Sequence, residues 1–193
     1  MPEEPKSAPG RKRGEKKRRA AAYHEAGHAV ACHMLEHPFH YVTILQGEGT
    51  HGHCKSKKPP RWFNPELNLD DPRCAKWLDE EIIILYAGGA AERLFTGRYN
   101  HIGRARDYDV ACELSLYRCG WTKVVEAHIR WLHLTAEYSV ESPMWRPSIS
   151  AVAQALLERE TLSAQEVAEV IRAHWDALIS AEQEARRQQR AAD

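Results

Sequence analysis

Residues 22–33 read AYHEAGHAVACH, with His24 and His28 four apart and Glu25 directly after the first. The surrounding run, from about Lys16 to His37, is rich in Ala and contains no Pro and only Gly27. Its apolar positions Tyr23, Ala26, Val30, Met34 and Leu35 recur with helical spacing. Pro38 supplies the stop. On a helix, positions i and i+4 lie on one face about 5–6 Å apart, so His24 and His28 can turn their imidazoles toward one ion. Glu25 is rotated by roughly 100° from His24, which suits a residue that flanks a metal-bound water without ligating the metal. The expectation is therefore a zinc hydrolase helix. Catalytic zinc takes three protein ligands and keeps one position for water, whose proton Glu25 would accept.

A third ligand must come from elsewhere. His33 lies five residues past His28, about 140° around the helix, and points away. The extended metzincin pattern fails as well, because positions 31 and 34 hold Ala31 and Met34 rather than Gly and His. Cys32 shares the His28 face, but three ligands in a line down one helix poorly surround a tetrahedral ion, so Cys32 reads as a core cysteine. The remaining candidates are the carboxylates Glu80, Glu81, Glu92, Asp107 and Asp109, and spacing alone does not choose among them.

Working outward, HYVTILQ and HGHCKS, separated by the turn-like GEG, predict two strands of a small sheet next to the histidine helix. KKPPRWFNPELNLDDP is a surface connection, and Asp71-Pro72 signals a helix start. Helices are expected over 73–95, closed by Gly97, then over 105–119 and 121–140 around Gly120. Another is expected at about 148–159, after the breaks at Ser142-Pro143 and Arg146-Pro147. Ser163-Ala-Gln-Glu166 is a capping box with Leu162 and Val167 as its hydrophobic staple, opening a last helix. The expected fold class is mainly α (α+β). Gly88-Gly89 predict close approach of two helices, the six tryptophans core and interface anchors, and His51 and His53 rim positions on a strand.

The 27 basic and 27 acidic residues cancel, which removes any global pull toward nucleic acid or anionic membrane. Residues 6–19 alone are strongly basic and lack large apolar side chains, so 1–19 read as a disordered basic arm. A domain over 20–180 and a polar tail over 181–193 complete the division. No apolar run is long enough for a membrane span, and no secretory h-region is visible. Cys32, Cys54, Cys74, Cys112 and Cys119 are odd in number and lack C-x-x-C spacing, which fits a reduced, cytoplasmic protein.

YHEAGHAV, HPFHYVTIL, LYAGGAAERLFTG, GRARDYDVA and LLERETLSAQEV, in this order, resemble the peptidase domain of the FtsH family of zinc proteases over roughly residues 20–172. The resemblance implies a helical metallopeptidase fold, Zn2+ as cofactor, His24 and His28 as ligands and Glu25 as catalytic base. It also implies a third ligand in a G-x-x-x-D frame, which Asp107 fits; the family usually has Asn where this chain has Arg106. It further implies a sheet edge that receives the substrate, near HGHCKS. No G-x-x-x-x-G-K-[ST] loop occurs in the sequence, so the expectation is a stand-alone, ATP-independent peptidase domain for unfolded or flexible polypeptides, or one served by a separate ATPase. Oligomerisation is compatible with this reading. The competing expectation is a non-catalytic, metal-containing binding or regulatory module acting through the basic arm, the one place where nucleic acid could bind.

Overall fold

The computed structural model describes residues 9–45, 52–68, 71–98, 105–119 and 123–192. The chain runs α1 (Pro9–Met34), β1 (Phe39–Thr43), β2 (His53–Ser56), α2 (Pro72–Thr96), α3 (Ala105–Cys119), α4 (Lys123–Glu141), α5 (Trp145–Arg159), β3 (Thr161–Ser163) and α6 (Ala164–Ala192). This is the mainly helical architecture with a small sheet that periodicity predicts. The turn-like GEG, His51, Gly103, Arg104 and Gly120 lie outside the described residues.

Helix α1 is the hub. Ala22, Ala26, Ala29, Val30 and Ala31 are wholly enclosed, and the core around them draws on α2, α5, α6 and the sheet. Small side chains let the neighbours come close. A Cβ on Gly27 would lie 2.5 Å from the Ala87 carbonyl oxygen and 2.9 Å from the Gly88 Cα, so backbone packs on backbone where α1 crosses α2. A second apolar cluster, with Ile82, Tyr86, Ala111, Leu132 and Ala136, fastens α3 and α4 to the other side of α2.

Three boundaries differ from the sequence reading. Helix α1 begins at Pro9, ahead of Lys16, so residues 9–19 of the expected disordered arm are helical. Lys and Arg are good helix formers. Two of these arginines also find partners: Arg18 donates to the Leu157 carbonyl and the Glu160 carboxylate, each at 3.0 Å, and Arg19 lies 5.4 Å over the Phe95 ring. Helix α5 begins at Trp145 rather than near 148, because Pro147 falls in the first turn, where its missing N–H would have no helical partner. The third difference is β3, a strand too short to show an alternating pattern.

β1 is central in the sheet, antiparallel to both neighbours in the order β2-β1-β3, which leaves β2 at an edge. Val42 sits between Cys54 and Leu162. Thr43 fixes β3 with its side chain: its hydroxyl is 2.7 Å from that of Thr161 and donates to the Glu160 carbonyl at 3.1 Å. The capping box forms as predicted, the Ser163 amide donating to Glu166 at 2.8 Å and the Glu166 amide to the Ser163 hydroxyl at 3.2 Å. Leu162 and Val167 are both fully buried. At α2, Asp71 accepts from the Arg73 amide and Gly97 ends the helix at φ 70°, in the left-handed region.

Candidate metal centre

The antiparallel crossing of α1 and α2 aligns two i, i+4 pairs. His24 and His28 on α1 face Glu92 and Gly88 on α2. His24 Nδ1 lies 3.1 Å from Glu92 Oε2, and His28 Nδ1 lies 2.8 Å from the Ile84 carbonyl oxygen. Each carbonyl or carboxylate oxygen fixes its imidazole with Nδ1 protonated, so both Nε2 atoms turn the same way. They meet at 3.1 Å. Gly88 is what makes this possible for His28, since a Cβ there would lie 2.3 Å from Nε2.

Asp107 approaches from the first turn of α3. Its Oδ2 is 3.4 Å from His24 Nε2 and 3.7 Å from His28 Nε2. The three donor atoms form a cluster within 4.8 Å, the only group of three or more such donors among the described residues. Zinc–ligand distances of about 2.0–2.2 Å in a tetrahedral site put neighbouring donors roughly 3.3 Å apart, so two imidazoles and a carboxylate at these separations suit such an ion.

Glu25 sits beside this triangle. It is 6% exposed, and its Oε2 has no hydrogen-bond partner among the described residues. A buried carboxylate oxygen without a partner is costly, and this one lies beside the cluster of three donors that could hold a metal ion. Gly52, at the start of the edge strand, closes over it: a Cβ there would lie 3.0 Å from Glu25 Oε1 and 2.8 Å from the Thr43 carbonyl, and the residue has φ +131°. Only glycine fits both the space and the backbone.

The charges are strongly coupled. Burial by itself would lower the His24 pKa, but hydrogen bonds to Asp107 and Glu92 and the nearby Glu25 charge raise it to about 10. Burial acts to raise Asp107, yet His24, His28 and Arg106 hold it below the ordinary carboxylate value. Burial pushes Glu25 upward, against the pull of His28 and His24. Without a metal, His24 thus carries a proton at neutral pH in the place where a cation would bind.

Of the carboxylates that spacing left open, Asp107 joins the two histidines. Glu92 stands behind His24 as an orienting partner, and Glu80 and Glu81 both bind His37 at 3.1 Å. Asp109 is exposed. His33 is exposed and Cys32 is in the core, each as the helical angles require. Sequence reasoning anticipated Gly88 as a point of close helix approach but missed the room it makes for His28, and it missed the roles of Gly52 and the Ile84 carbonyl, for which the residues themselves carry no chemical signal. Among the described residues no helix is long and apolar enough to cross a membrane.

No family model matches the chain. It is 26% identical over 201 residues to the ATP-dependent zinc metalloprotease FtsH of Acidobacterium capsulatum, an alignment covering 81% of this chain and 29% of that protein. It is 34% identical over 106 residues to the ATP-dependent zinc metalloprotease FtsH of Cupriavidus metallidurans, covering 52% and 14% respectively. A 33-residue segment is 61% identical to the ATP-dependent zinc metalloprotease FtsH 3 of Symbiobacterium thermophilum. The chain thus spans less than a third of the length of these relatives. The chain's similarity to these zinc metalloproteases is weak and partial.

Proposed function

We propose that the chain is a zinc-dependent endopeptidase in which His24, His28 and Asp107 hold the metal and Glu25 is the general base. The observation that carries this reading is the convergence of three donor atoms beside a buried carboxylate oxygen that has no hydrogen-bond partner among the described residues. Zinc bound in such a set lowers the pKa of water and polarises a peptide carbonyl. Glu25 takes the proton from the attacking water and delivers it to the departing amine. Glu92 and the Ile84 carbonyl hold the two imidazoles in the tautomer that leaves Nε2 free for the ion. Asp107 supplies the negative charge that offsets the cation.

Support for a polypeptide substrate comes from the sheet. β2 is an edge strand, and Gly52 at its start touches Glu25, so an extended chain added along β2 would run toward the base. Only unfolded or flexible segments can pair in that way. The similar proteins are ATP-dependent by name, and a partner ATPase that delivers unfolded chain belongs to the same proposal.

Metal analysis and casein cleavage test the reading together. The expected result is one zinc per chain and hydrolysis that Glu25→Gln lowers by about 10²–10⁴-fold while the zinc stays bound. Zinc binding with cleavage indifferent to Glu25 would sink the enzymatic claim.

A further inference from the structure

Two cysteines meet where the edge strand lies on the metal-site helix. Cys32 is seven residues beyond Glu25 on α1, within about 20° of the same face. Cys54 on β2 lies directly opposite Val42, whose side chain is fully buried in the apolar cluster around α1, and residues opposite each other in paired strands share a face. Cys54 thus faces the side of the sheet on which α1 packs, and Gly52, just before the strand, lies against Glu25. There the Cys32 thiol is near enough to raise the pKa of Cys54, and Cys54 packs against the apolar cluster to which Cys32 belongs. All five cysteines are free, Cys32 buried and Cys54 partly accessible.

We propose that Cys32 and Cys54 are a reversible disulfide site that clamps the edge strand β2 to the metal-site helix α1. The co-reactant is a small-molecule disulfide of the glutathione type. The more accessible Cys54 attacks it as the thiolate, forming a mixed disulfide and releasing one small thiol. Cys32 then attacks the Cys54 sulfur and releases the second. Two protein S–H bonds are replaced by one S–S bond, and the two electrons and two protons reduce the small disulfide to two thiols. The neighbouring Cys32 thiol and burial both hold the Cys54 thiol above its ordinary pKa, so exchange is slow at neutral pH and accelerates as pH rises.

Closure has a mechanical consequence. A disulfide brings the sulfurs to about 2.05 Å, well inside thiol contact, and so ties β2 covalently to α1. Gly52 already leaves no room for a methyl group against Glu25. The clamp therefore tightens the cleft beside the base, and this regulatory consequence rests on the peptidase reading above.

The test treats the full, folded chain with oxidised glutathione, followed by peptide mapping without reductant. The expected product is a peptide linking Cys32 to Cys54, lighter by two hydrogen atoms and reversed by dithiothreitol. Cys54→Ala should abolish the link, and Cys32→Ala should leave Cys54 stably glutathionylated. Links confined to Cys74, Cys112 or Cys119, or a Cys54–glutathione adduct that persists in the unsubstituted chain, would overturn the site. On the peptidase reading, oxidation lowers casein cleavage several-fold in the unsubstituted chain and not in Cys54→Ala. A link that forms with cleavage unchanged removes the regulatory role, whereas absence of cleavage in both redox states counts against the peptidase reading alone.

Discussion

The crossing of α1 and α2 is used twice, with the same residue types and opposite results. At one end His24 and His28 meet Glu92, Gly88 and Asp107; at the other, His37, just past the end of α1, meets Glu80 and Glu81. His37 is 4% exposed, and its two ring nitrogens are each 3.1 Å from a different carboxylate, while Trp77 stacks on its ring at 3.9 Å. Both nitrogens are thereby occupied, and no donor lone pair is left to point at an ion. In the first cluster one nitrogen of each ring is tied back, by Glu92 and by the Ile84 carbonyl, and the other is aimed at a common point. A histidine among carboxylates is a metal site or an ion-paired tether according to which nitrogens are spoken for.

The sharpest way to break this contrast is to remove one imidazole from each end. His28→Ala should reduce bound zinc from one equivalent to none, whereas His37→Ala should leave the metal content unchanged and lower thermal stability. Zinc analysis after dialysis decides it, and metal loss in the His37 variant would erase the distinction. Next in size is the carboxylate behind each ring. Glu92→Gln should weaken zinc binding by about 10–100-fold, as loss of an orienting partner usually does. Glu80→Gln should leave zinc affinity where it was, as read by competition with a chromophoric chelator.

Gly88→Ala probes the space rather than the charge. With a Cβ 2.3 Å from His28 Nε2, either the imidazole or the helix crossing must shift, at a cost of about 1–3 kcal/mol. Denaturant unfolding of the metal-free variant measures this, and a neutral result would show that His28 has another rotamer to adopt.

The dependence of stability on pH separates the two ends by their charge. Burial alone would lower His37, but hydrogen bonds to Glu81 and Glu80 hold it above the ordinary 6.5. A group whose folded pKa is raised contributes stability that is fully present below its unfolded pKa and is lost as pH rises through the folded one. The metal-free protein should therefore lose stability above about pH 6.5 through His37, and up to about pH 10 through His24. Bound zinc replaces the His24 proton and should remove that part, leaving the His37 part. Thermal midpoints across this range, with and without zinc, and with His37→Asn, separate the two. An unchanged slope in zinc-loaded His37→Asn would rule His37 out as its source.

Much of the architecture is legible in single residues. Asp71 before Pro72, Gly97 at a positive φ, and the Ser163–Glu166 box mark ends where an orphan backbone group needs a named partner, and such needs are local. β3 escaped because three residues have no period to detect, and its place is set by Thr43, more than a hundred residues away. The start of α1 escaped because composition gives charge and burial potential, while Arg18 and Arg19 find partners on α5, the turn after it and α2.

The same division runs through the site. The sequence by itself determined that His24 and His28 share a face and that Glu25 stands beside it, because a helix fixes angles over a few residues whatever surrounds it. It also determined that His33 cannot join them. Five carboxylates stayed open to the third position, because nothing local relates a residue on α1 to one on α2 or α3. The tertiary structure places one of them beside the two histidines. It sent Glu80 and Glu81 to His37, set Glu92 behind His24 and brought Asp107 to the front, through a helix crossing made close by Gly27 and Gly88. Distance between elements is a property of packing, and packing is settled by side chains far apart in the chain.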